Sequence, residues 1–252
     1  MKKTVIGLTA ITALLLAGQA SALTLENTIL DYSGGPVSFK FSGYTQTVEG
    51  STQGAFALTN FYESTTAGSE SELASWAPTV GNYVYAVVGG FTDIDSGNPS
   101  LLWSTGGFFS LYETTTLFNT STGPSVISAI TGSGGNLLLT GDFVEQNADG
   151  ATLVQSFNFN NADDFNGSGN AYADLTGGSL MAKLNTNMEK FGSDLWFSFN
   201  YSHTATNAVN WGPAGVFITD PVVGTAAVPE PATILLFGTG LAGLAGLRRK
   251  KA

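Results

Sequence analysis

Residues 195–201 alternate strictly: Leu195, Phe197, Phe199 and Tyr201 hold the odd positions, with Trp196, Ser198 and Asn200 between them. In an extended chain a period of two sends odd and even side chains to opposite faces. The stretch is therefore a strand with one continuous apolar face, and Trp196 stands on the other face beside Ser198 and Asn200. The same texture, less sharply, marks residues 37–41, 54–62, 82–88, 107–113, 125–131, 136–144 and 151–159. Turn chemistry separates these runs at Gly34, Gly35 and Pro36, at residues 96–99, at Gly123 and Pro124, and at residues 132–135. Repeated period two with such spacing predicts a mainly β fold, a single antiparallel β-sandwich with jelly-roll-like connections. Helical signals are sparse. One short helix is expected within residues 63–77, where Ser69 and Glu72 have capping-box spacing, and a turn over residues 185–191.

The two ends read differently. Lys2 and Lys3, an apolar run over residues 5–17, and Ala20 and Ala22 at an A-x-A cleavage site make up a secretory leader, residues 1–22. Signal peptidase is the partner this leader calls for, and the exported body then spans residues 23–219. Residues 220–228 are small and irregular and read as a linker. Beyond it, Pro229, Glu230 and Pro231 precede an uncharged, mostly apolar run over residues 232–247, and Arg248, Arg249, Lys250 and Lys251 follow. Neither proline has a donor N–H, so the tripeptide continues neither a helix nor a central strand. At 1.5 Å per residue the apolar run extends about 24 Å as a helix. That is slightly short of the ~20 residues a bilayer asks for, a gap that arginine snorkelling closes. The tail, residues 229–252, is thus expected to be a transmembrane helix with a cytoplasmic cationic stop.

Between these ends only Lys40, Lys183 and Lys190 face eighteen carboxylates, a formal charge of −15. Such a field repels nucleic acid and anionic lipid, so no nucleic-acid partner is expected. Cysteine is absent, which excludes disulfides, thiol nucleophiles and cysteine-based zinc sites together. The only histidine, His203, has no recognisable triad context. Paired carboxylates for glycoside hydrolysis are too easily supplied by eighteen acids to carry an assignment. Calcium has a more specific signal: Asp164, Asn166 and Ser168, followed by Gly169, have the alternate-oxygen order of a calcium loop. Looser versions occur at Glu145, Asn147 and Asp149, and at Asp93, Asp95 and Asn98, all without the closing glutamate. Trp196 is the candidate for stacking on a sugar ring.

The order of tripeptide, apolar run and basic end in residues 229–252 resembles the sorting tail of PEP-CTERM proteins. The resemblance covers about a tenth of the chain. It implies that an exosortase recognises Pro229, Glu230 and Pro231 at the outer face of the inner membrane, in a Gram-negative producer of exopolysaccharide. The chain would then be exported, anchored transiently by its C-terminal helix, and released to the cell surface or beyond. On that resemblance the expectation is a non-enzymatic matrix or surface protein, associated with biofilm, floc or exopolysaccharide. The competing expectation is a calcium-stabilised carbohydrate-binding module or a secreted carbohydrate-active enzyme.

Overall fold

The computed structural model describes residues 24–32, 34–63, 75–161, 164–204, 209–212 and 215–228, so that the leader and the tail from residue 229 lie outside the described residues. Nine strands form: β1 (Gly35–Val48), β2 (Ser51–Glu63), β3 (Tyr83–Ile94), β4 (Leu101–Thr114), β5 (Asn136–Phe143), β6 (Leu153–Asn161), β7 (Asp164–Gly177), β8 (Leu195–Thr204) and β9 (Gly215–Val228). All pairings are antiparallel. β1 pairs with β2, β2 with β3, β3 with β4, β7 with β8, and β8 with β9. β5 and β6 share one position in the wall. β5 lies against residues 108–113 of β4, and β6 against residues 101–104 of it, while both pair with β7 on their other side.

The last pairing changes the architecture. β9 runs antiparallel to β1, from Gly35 opposite Val228 to Gln46 opposite Gly215. The single sheet therefore closes on itself as an up-and-down barrel of eight staves. This corrects the expected sandwich with jelly-roll connections. Period two fixes which side chains share a face, but it does not say whether that face meets a second sheet or the far side of its own.

Two segments also depart from expectation. Residues 220–228 are no linker but the second half of β9. Their small residues suit a crowded wall, since a Cβ on Gly224 would stand 2.9 Å from the Phe197 ring. Pro221 falls where the register of β9 against β1 shifts, between the partners of Phe41 and Gly43, so its missing donor interrupts no regular ladder. Residues 125–131, which read as a strand, form the helix α2 (Ser125–Thr131). Its Val126 and Ile130, four apart on one helical face, are buried on the outside of the barrel against Ala55, Tyr85 and Val87. That burial outweighs the extended preference of β-branched residues. Trp211 completes this outer cluster, stacked on Tyr44 at 6.1 Å and donating from Nε1 to Thr120 O at 2.9 Å.

One end of the barrel is plugged. The helix α1 (Leu25–Asp31) is seven residues long, too short to persist alone. Thr24 caps it, its Oγ1 accepting from Asn27 N at 3.1 Å. Leu25 and Ile29 are fully buried in the main core with Val37, Phe61, Leu138 and Val228. Glu113 at the end of β4 accepts from Leu25 N at 2.7 Å. Burial lifts the Glu113 carboxyl above its ordinary range, and this bond works against the lift. The short helix α3 (Met181–Leu184) packs at the same end, and Lys183 Nζ donates to Tyr32 O at 2.8 Å and Leu30 O at 3.3 Å. The opposite end, where the β1–β2 and β3–β4 hairpins turn, carries no such plug among the described residues.

Candidate functional sites on the barrel

The odd residues of β8 turn inward, as their alternation requires, and with their counterparts on the other staves enclose a cavity of about 410 Å³. Its deep part is aromatic. Phe109 meets Phe197 at 5.5 Å and Phe143 at 5.9 Å between ring centroids, and Phe91 meets Phe143 at 4.9 Å. Offset and edge-on ring pairs of this kind hold their geometry beyond simple area burial. A closed eight-stave wall is of the size that either fills with side chains or holds one small ligand. Here Ala86 and Ala171 stand among the larger lining residues and leave room.

Polarity gathers toward the unplugged end. Thr47 and Thr52 face each other across β1 and β2, their hydroxyls 2.7 Å apart. Asp93 on β3 sits directly opposite Ser104 on β4 and accepts from its Oγ at 2.8 Å. Ser104 is fully buried and Asp93 partly so. Burial pushes the Asp93 carboxyl up from its usual range, while the Ser104 bond pulls it down. Gln155 on β6 lines the same region. Among the described residues no lysine contributes to the lining. Lys40 lies over the Tyr62 ring, 4.9 Å from its centroid, and Lys183 serves the plug. Toward the same end of β8, Tyr201 donates from Oη to Ser156 O at 2.9 Å, and burial raises its phenol well above the ordinary value.

A second concavity lies on the outside of β6–β8. Trp196 stands between Tyr172 on β7 and Thr225 on β9, on the face opposite Phe197, as the alternation predicts. It lines a shallow groove with Ser156, Ser168, Asn170, Ser198 and Asn200. An aromatic face flanked by hydroxyls and amides can stack on a sugar ring and bond its hydroxyls.

The expected calcium loop takes another form. Asp164, Asn166 and Ser168 lie within strand β7, backbone to backbone with Asn161, Asn158 and Ser156 on β6. Alternate strand residues are about 6.6 Å apart, whereas calcium gathers its oxygens ~2.3–2.6 Å from one point. The sharp turn that the motif needs is absent, and Ser168 Oγ is 3.1 Å from Ser156 Oγ instead. The two looser runs do contain turns, but these use the side chains internally. Asn147 Oδ1 accepts from Asp149 N and Ala151 N, Asp95 Oδ1 from Gly97 N, and Asn98 Oδ1 from Ser100 N. Asp93, grouped with Asp95 on sequence, turns into the barrel. Sequence reasoning missed the cavity, although its signal was the same apolar alternation, because alternation does not distinguish a filled interior from a hollow one. His203 falls opposite Phe165 on β7, its side chain outside the described residues.

The leader cleavage residues Ala20 and Ala22 lie outside the described residues, as do Pro229, Glu230, Pro231 and the basic stop at Arg248, Arg249, Lys250 and Lys251. The expected transmembrane helix falls there too; among the described residues no helix is long and apolar enough to cross a membrane. What the structure does describe is the residue before the tripeptide. Val228 is 3% exposed and ends β9 at the plugged end of the barrel. No curated protein and no solved structure matches the chain. Residues 227–250 do match a family, beginning two residues before the tripeptide, and with it the chain carries a PEP-CTERM protein-sorting motif, the mark of an exported exosortase substrate.

Proposed function

We propose that this chain is an exported, exosortase-processed binding protein that holds a small apolar molecule inside its barrel, at the cell surface or in the extracellular matrix. The cavity of about 410 Å³ carries the reading. It falls in the range of small-ligand sites, ~300–1,000 Å³, and has their usual composition of an apolar lining with few polar groups. The sorting motif supports the location, and the Trp196 groove supports association with exopolysaccharide in a biofilm or floc. The reading is of a binder rather than an enzyme. It sets the carbohydrate-binding role on the outer wall and leaves the interior for a different class of molecule.

The test is fluorescence of phenylnaphthylamine, an uncharged dye that brightens in apolar surroundings, added to the protein purified after export and processing. Saturable brightening at one site per chain is expected. Ala86→Phe, which places a ring in the cavity, should abolish it. Wild-type protein that gives no saturable signal would overturn the reading.

A further inference from the structure

The walls of the cavity differ in chemistry along its length, and that difference restricts what can occupy it. We propose that the ligand is an amphiphile whose chain lies against the deep phenylalanines and whose head is a hydrogen-bond donor, an amine or a hydroxyl, received by Asp93; carboxylate and phosphate heads are selected against. This rests on the cavity reading above and names the ligand class for that same site.

Three observations converge on it. First, among the described residues the charged side chain that lines the cavity is Asp93, and the deep lining at Phe109, Phe143 and Phe197 is apolar. Second, Ser104 occupies one oxygen of Asp93, at 2.8 Å, and holds the carboxylate in place. Among the described residues no other side-chain bond to Asp93 forms. A carboxylate has about four lone-pair sites, so capacity to accept from a ligand remains. Third, among the described residues no lysine or arginine lines the cavity to pair with an anionic head. The body's lysines are Lys40, Lys183 and Lys190, of which Lys40 lies over Tyr62 and Lys183 is bound to the plug. A carboxylate brought beside Asp93 would lose hydration and meet like charge, which is costly in both respects. An ammonium or hydroxyl would instead form a charge-assisted bond, stronger than a neutral one. The hydroxyls of Thr47 and Thr52, 2.7 Å apart, and the amide of Gln155 line the same polar region and suit a hydrated head.

The experiment displaces bound phenylnaphthylamine from the exported, processed protein with three ligands of one chain length: dodecylamine, dodecanol and dodecanoate, each below its micelle concentration. The amine and the alcohol are each expected to compete at least ~10-fold more tightly than the carboxylate, the scale of a hydrogen bond to a charged group. Asp93→Asn should keep dye binding and reduce the preference for the amine over the carboxylate by a similar factor. Wild-type protein that binds dodecanoate as tightly as the other two would overturn the proposal, with no variant needed. So would an unchanged preference in a folded Asp93→Asn protein. In both cases dye binding persists and the cavity reading survives. Failure of the wild type to bind the dye at all would remove both.

Discussion

Trp196 and Phe197 are adjacent in sequence and stand on opposite sides of the barrel wall. Phe197 lines the cavity, while Trp196 lines the outer groove with Ser198 and Asn200. A substitution at one is therefore expected to leave the other's face of the wall largely intact, because successive strand side chains point to opposite faces. Trp196→Ala is expected to weaken retention on immobilised exopolysaccharide by at least ~10-fold, as loss of an aromatic anchor does, and to leave phenylnaphthylamine binding unchanged. Affinity electrophoresis in polysaccharide gels measures the first and dye titration the second. Unchanged mobility in the gel would remove sugar stacking from the role of Trp196. This division of faces was legible in the sequence. The inward place of Asp93 was not, because an aspartate two residues before another in a run with Gly97 and Asn98 looks like part of a turn. Only the pairing of β3 with β4 sets it against Ser104.

Elements show where legibility ended. The strands were readable because each buries one face, and their alternation survives in the fold from Val37 to Tyr201. α2 was not, since Val126, Ile127 and Ile130 favour extended chain by local preference and become helical only because the outer wall offers a surface at helical spacing. The run at Asp164 takes an extended form for the opposite reason. Asn, Ser and Gly belong to turns in isolation, yet here they continue β7 between β6 and β8, with Asn166 and Ser168 on its outer face. α1 escaped notice because its first residues adjoin the leader and its seven residues have little propensity of their own. Its stability must come from docking. Ile29→Ala is expected to cost about 2–5 kcal/mol, the range for truncating a buried side chain of this size, seen as a lowered urea midpoint. Leu30→Ala, at an exposed position of the same helix, should change it little. Equal effects from both would show that the helix does not seal the core.

At the scale of the whole molecule, α1 and the end of β9 lie at one end of the barrel, and the polar part of the cavity lies toward the other. The tail motif therefore leaves from the plugged end, and a barrel held by that tail would have its plug toward the membrane and the polar part of its cavity away from it. Changing Pro229, Glu230 and Pro231 to alanine is expected to leave the chain unprocessed in the membrane fraction, whereas wild type is released; blotting of the two fractions measures it. Release of the triple variant at the wild-type rate would count against recognition of the tripeptide. A tighter constraint comes from Val228. It is buried, it pairs with Gly35, and the Pro229-Glu230-Pro231 tripeptide begins at the next residue. There is no slack between the folded protein and its address. A cut upstream of Val228 would shorten the stave that joins β8 to β1, opening the seam through which the wall was closed. An exosortase can thus leave an intact barrel only by cutting after that seam, and the released protein should keep Val228 within its new C-terminus.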